Sequence, residues 1–168
     1  MRKEVLKYGI RFGVLTGIAC FLFFLAFYAL LPKPLMYIRQ SIGINIILIW
    51  AGIWYFKRNN GGILHFYQGF SIGFLINIIG ALIAGILIFL FIQYVDYEPY
   101  KQWILDSKSM LMRDKESLIK IMNEANFERN LASLDNGKPY QIVFDELMFK
   151  QLAIIPIGLL SMVMRKIQ

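Results

Sequence analysis

Residues 59–95 read NNGGILHFYQGFSIGFLINIIGALIAGILIFLFIQYV, 37 positions without a formal charge. The opening Asn59-Asn60-Gly61-Gly62 has the composition of a turn, so a helix is expected from about Phe66 to Tyr94. At about 1.5 Å per residue that helix outruns a hydrocarbon core about 30 Å thick, so it should tilt or project. The stretch reads as a membrane span.

Two more spans precede it. An uncharged run rich in Phe and Leu lies between Arg11 and Lys33, and a second lies between Arg39 and Lys57. A fourth, weaker span is expected from about Leu147 to Met164. Its charge-free part is only Gln151 to Met164 and contains Pro156, with Lys150 placed to snorkel to the interface. The expected spans are therefore about 10–31, 38–56 and 66–94, with a fourth in 147–168 that ends in a basic tail. The first is read as retained: its apolar run is longer than a signal-peptide core, and no small-x-small site follows it.

Composition agrees. Of 168 residues, 58% are hydrophobic and 17% charged, against about 45–50% and about 25% in soluble domains. Disorder, collagen and coiled-coil arrays are excluded. One Cys and one His cannot supply an internal disulfide or a zinc cage, and no cofactor motif appears. The fold class expected is all-α, an integral membrane four-helix bundle.

The net charge of +7 sits on short tails and turns: Arg2, Lys3, Lys7 and Arg11, then Lys57 and Arg58, then Arg165 and Lys166. Basic residues flanking spans favour the cytoplasm, which puts both termini inside. They suit anionic headgroups and are poor evidence for nucleic acid, which wants a soluble basic patch. Residues 96–146 are then extracytoplasmic, an amphipathic helical segment between the third and fourth spans. Within it Ile104, Leu111, Leu118 and Ala125 recur every seven residues, with charged side chains on the other faces. Packing of that stripe on the membrane or the spans is favoured over a dedicated docking site.

Small residues four apart mark close helix contact in lipid. The first span carries Gly9, Gly13 and Gly17. The third carries Gly69, Gly73, Asn77, Ala81 and Gly85, widened by Gly80 and Ala84. Internal packing is the favoured use of these ridges. Asn45 and Asn77 fall near mid-span in the second and third helices. An amide in hydrocarbon needs a partner, so the two are expected to hydrogen-bond across an antiparallel helix pair.

Ionisable groups are expected only at the edges: no Asp or Glu inside a span, and Lys150 as the one basic residue at a rim. Proton relays and intramembrane hydrolases generally need such groups at depth. P-loop, G-x-S-x-G, H-E-x-x-H and paired-Cys motifs are missing from the sequence. Asp96, Glu98, Asp145 and Glu146 form a set of outer rim carboxylates, able to bind a cation but more ordinarily just solvated. His65 is expected to start the third helix rather than to catalyse.

The string Gly61-Gly62-Ile63-Leu64-His65-Phe66-Tyr67-Gln68-Gly69-Phe70, followed by Gly73, resembles the most recognisable stretch of the DUF4199 family, small bacterial inner-membrane proteins of unknown function. Tyr94-Val95-Asp96, Phe144-Asp145-Glu146-Leu147 and the Arg165-Lys166 ending are similar as well. His65 stands where that family more often has Ser or Thr. The resemblance implies four spans and a Gram-negative inner membrane; it implies no activity and no catalytic residue. The expectation is a non-catalytic inner-membrane protein that packs against, anchors or stabilises a membrane partner or a second copy of itself. The alternative is a small-solute or lipid carrier with a polar cavity near Asn45 and Asn77.

Overall fold

A computed structural model describes residues 2–166. It is helical nearly throughout: α1 (Arg2–Leu30), a 3-10 segment (Pro34–Ser41) running into α2 (Ile42–Asn59), α3 (Phe66–Tyr94), α4 (Glu98–Arg113), α5 (Lys115–Met122), α6 (Glu124–Asp135), α7 (Gln141–Lys150), a 3-10 turn (Gln151–Ala153) and α8 (Ile154–Val163). Four stretches are long and apolar enough to cross a membrane: Lys3–Leu30, Pro34–Asn59, Phe66–Tyr94 and Gln141–Val163.

α3 is central and touches α1, α2, α7 and α8. Its glycines explain why. A methyl group at Gly9, Gly13 or Gly17 would lie 2.7, 2.7 and 2.5 Å from the Cβ atoms of Leu75, Ile79 and Ile83. The partners climb four residues per step on both helices, so α1 and α3 run parallel with backbones pressed together. The opposite flank of α3 works the same way. A methyl at Gly69 would meet Ser161 at 3.0 Å, one at Gly73 would meet Ile157 at 2.8 Å, and one at Gly85 would meet Val143 at 2.9 Å. Those partner numbers fall as the α3 numbers rise, so α7 and α8 run antiparallel to α3. Both small-residue ridges are consumed inside the chain.

The helix ends follow from local chemistry. Gly61 and Gly62 take φ of +65° and +82°, left-handed values that glycine adopts without strain, and they reverse the chain into α3. Leu64 and Lys166 pair there in an antiparallel bridge through N–H···O bonds of 3.1 and 3.0 Å. The backbone N–H of His65 donates to Gln68 Oε1 at 3.0 Å, satisfying one donor at the start of α3. His65 thus sits where a helix-start role places it.

The helices run beyond the charge-free windows. Those carrying the first two apolar stretches begin at Lys3 and Pro34, and Lys3, Lys7 and Arg11 are exposed on α1. The helical stretch carrying the fourth begins at Gln141 and so includes Asp145, Glu146 and Lys150. The polar segment is three helices rather than one. The sevenfold stripe is half-buried at Ile104, Leu111 and Leu118 and exposed at Ala125, and such spacing does not require that the helix be continuous. Asn123 takes φ +65°, and its side chain accepts from the Asn126 N–H at 3.0 Å, ending one helix and capping the next.

Two buried apolar clusters fill the interior. Ile49, Ile53, Phe56, Leu64, Ile72, Ile76, Ala153 and Ile157 form one. Phe24, Leu35, Ile88, Ile92, Tyr100 and Ile142 form the other. On α3 they are separated by residues 77–87, and the polar side chains gather in that gap.

Candidate functional site

The fourth span is bent into service by its own proline. Pro156 has no N–H and its ring crowds the carbonyl four residues back, so α7 gives way to the 3-10 turn Gln151–Ala153. There the Ile154 N–H bonds to the Gln151 carbonyl instead of reaching back to Lys150, as an α-helix would require. The 3-10 turn holds the Lys150 carbonyl on the shorter i→i+3 bond, and the carbonyl accepts a second bond from α3. Asn77 Nδ2 donates to the Lys150 carbonyl at 3.0 Å, and Asn77 Oδ1 accepts from Asn45 Nδ2 at 2.5 Å. Asn45 and Asn77 are both 0% exposed. One amide pair therefore ties α2, α3 and the end of α7 into a single register.

The Lys150 side chain lies beside this network. Its Nζ is 2.8 Å from Glu146 Oε2, one helical turn back, with side-chain exposures of 1% and 4%. The two charges meet without the alignment of a hydrogen bond, so the ammonium keeps unsatisfied donors. Asn45 Oδ1 also has no hydrogen-bond partner among the described residues. Cys20 of α1, 2% exposed, lies within electrostatic range of both charges and directs its Sγ to the Ser41 carbonyl at 3.8 Å. Glu146 stands level with Gly85 of α3, whose methyl position is 3.4 Å from Glu146 Cβ. Gly85 is about 13 Å below the end of α3 and Asn77 about 25 Å below it, at 1.5 Å per residue. The ion pair thus lies between these two levels of a helix about 43 Å long.

Glu146 and Lys150 are therefore buried against each other, where the sequence suggested a solvated carboxylate and a snorkelling lysine. A scan for charge-free windows treats each charge as a boundary, whereas carboxylate and ammonium four residues apart on a helix answer each other. The Glu146-x-x-x-Lys150 spacing was the available signal.

Above the pair opens a lateral cavity of about 600 Å³, walled by the Pro34–Ser41 segment, α4 and α7 and the turn that follows it. Met36, Trp103, Met110, Met148, Phe149 and Leu152 make it largely apolar, while Arg39, Ser107, Asp145 and Glu146 bring polar groups to it. Arg39 lies over the Phe149 ring, 5.4 Å from its centroid. Glu146 belongs to both features, since it lines the cavity and pairs inward with Lys150. Asn45 and Asn77 line neither this cavity nor the smaller one bounded by Tyr28, Asp96, Glu98 and Gln102.

The other carboxylates disperse. Asp96 accepts from the Tyr28 hydroxyl at 2.8 Å and from the Glu98 N–H at 2.9 Å. The Glu98 N–H first and the Tyr28 hydroxyl second hold the Asp96 carboxyl below its ordinary range. Glu98 pairs with Lys101 at 3.2 Å. Among the described residues no three His, Cys, Asp or Glu side chains gather as a metal ion would need. Arg39, Cys20 and Ser41 were not singled out from sequence as site residues. Cys20 lies on α1 and the other two on the Pro34–Ser41 segment, and nothing in the spacing announces that these elements meet.

The chain belongs to the DUF4199 family: the family model matches residues 11–166, and its description is a protein of unknown function. No match is found among curated proteins or among solved structures.

Proposed function

We propose that this protein is a multi-pass bacterial inner-membrane protein that holds a bilayer amphiphile in its lateral cavity and performs no chemistry on it. Its termini face the cytoplasm and the polar helices α4–α6 the periplasm. The basic residues beside the spans support that orientation. The observation that carries the binding reading is the cavity itself. Its volume of about 600 Å³ falls in the range of ligand sites, about 300–1,000 Å³, and its largely apolar lining includes the charged Arg39, Asp145 and Glu146. Three methionines in that wall (Met36, Met110, Met148) give it the adaptable surface suited to flexible chains.

A role in packing against a partner rested on the glycine ridges. Those ridges face α1, α7 and α8 within the same chain, which leaves that reading with less behind it. A carrier site at Asn45 and Asn77 has less behind it too, since Asn77 is bonded at both ends of its amide and neither residue lines a cavity described above. The carrier alternative survives in another place, at the cavity above Glu146.

The test is retention of lipid by the full-length protein. After purification in mild detergent and extensive washing, native mass spectrometry should show a phospholipid bound to each chain. Ser107→Trp, which fills the cavity, should release it while leaving the melting temperature unchanged. A chain that emerges lipid-free, or a Ser107→Trp variant that keeps its lipid, overturns the reading.

A further inference from the structure

The two charges at the cavity that no partner answers carry opposite signs. Glu146 is neutralised by Lys150 at 2.8 Å. Arg39 and Asp145 line the same cavity and both are exposed, yet neither has an opposite charge within 4 Å among the described residues, although other surface charges close such pairs readily. Arg39 and Asp145 feel each other electrostatically without closing to ion-pair distance.

Building on the amphiphile-binding reading, we infer that the cavity selects a phospholipid whose head carries both a phosphate and a primary ammonium, the phosphate seated on Arg39 and the ammonium on Asp145. Guanidinium presents a planar fork of donors matched to phosphate oxygens. Stacking on Phe149 orients that fork while its edge stays open. The Asp145 carboxylate accepts hydrogen bonds, which an ammonium offers and a quaternary amine does not. A quaternary amine would instead want an aromatic cage, and here Arg39 already covers Phe149, leaving Trp103 alone. A purely anionic head would satisfy Arg39 but would meet Asp145 as a like charge. Glu146 below adds no net attraction for either sign, because Lys150 cancels it. The acyl chains leave past Met110, Met148 and Leu152.

The experiment uses the full-length protein, delipidated in detergent and then offered dioleoyl phosphatidylethanolamine, phosphatidylglycerol or phosphatidylcholine, with bound lipid read by native mass spectrometry. The ethanolamine lipid should bind about fivefold more tightly than either of the others, the scale of one partly exposed ion pair. Asp145→Asn should abolish its advantage over phosphatidylglycerol, and Arg39→Gln should weaken all three. Melting temperatures should stay within a few degrees, since both side chains are exposed. Equal binding of the three lipids, or a preference for phosphatidylglycerol, overturns the headgroup assignment and leaves lipid binding standing. Failure of every lipid to bind overturns both.

Discussion

Lys150 and Glu146 face each other at 2.8 Å near the middle of the helix array, each less than 5% exposed. Both side chains are almost wholly buried, so each depends on the other for its compensation. Removing one partner strands the second, which costs ~3–5 kcal/mol in buried pairs, whereas replacing both with apolar side chains is often neutral. Lys150→Met and Glu146→Gln should therefore each destabilise strongly, and Glu146→Leu combined with Lys150→Met should recover most of the loss. Equilibrium unfolding in mixed micelles measures all three. A double variant no better than the worse single one would mean that the pair does not act as a unit.

Asn77 bonds two groups at once, the amide of Asn45 and the carbonyl of Lys150. Asn77→Leu strands the Asn45 amide and strips one bond from that carbonyl, and should cost about 1–3 kcal/mol, the penalty for a stranded buried polar group. Asn45→Val removes only one bond and should cost less. Membrane hydrogen bonds average about 0.6 kcal/mol in double-mutant cycles, so a coupling of that size is expected between the two positions. Strictly additive losses in unfolding experiments would show that the amides do not interact.

Parts of this architecture are visible in the chain before any coordinates. α3 declares itself because 37 charge-free positions leave few other fates, and its glycine ridge is visible because spacing by four is a property of the helix alone. An amide in a hydrocarbon stretch demands a partner, and Asn45 and Asn77 are the amides near mid-span in their helices. The burial of Glu146 and Lys150 was hidden because charged residues look like boundaries until they are seen to cancel. Subdivision of residues 98–135 was hidden because the left-handed Asn123 is a single-residue choice that periodicity does not register. The cavity was least accessible of all. Arg39, Trp103 and Asp145 meet only through the packing of three segments.

Close contact between α1 and α3 rests on the missing side chains of Gly9, Gly13 and Gly17. Gly13→Ala puts a methyl 2.7 Å from Ile79 Cβ, a branched carbon that cannot swing away, so α1 must shift. Overpacking of this kind costs about 1–3 kcal/mol. Gly43, also helical, has nothing within 4 Å of its methyl position. Gly43→Ala should be neutral or slightly stabilising, because alanine is the better helix former by about 1 kcal/mol in an exposed helix interior. Melting temperatures of the two variants, measured side by side in the same detergent, should move in different directions. Equal losses would point to a general intolerance of alanine rather than to the α1–α3 contact.

Tyr100 of α4 is 1% exposed and packed with Phe24, Leu35, Ile88 and Ile92, its ring stacked on Trp103 at 5.8 Å. Among the described residues its hydroxyl has no hydrogen-bond partner. Burial, with smaller contributions from the nearby Tyr97, Asp145 and Tyr140, pushes its pKa up to about 12 from the ordinary 10.0. The sign of the linkage follows. Below pH 10 the hydroxyl is protonated whether the chain is folded or not, and Tyr100 adds no pH dependence. Between pH 10 and about 12 the unfolded chain gives up the proton while the folded chain retains it, so stability falls as pH rises. Tyr100→Phe removes an unpaired buried polar atom and keeps the ring, so at neutral pH it should be at least as stable as the parent. Across the alkaline range it should lose less stability than the parent, the other tyrosines being common to both. Thermal unfolding from pH 8 to 11.5 makes the comparison. An identical alkaline slope in the two proteins would mean that the Tyr100 hydroxyl ionises as freely in the folded chain as in the unfolded one.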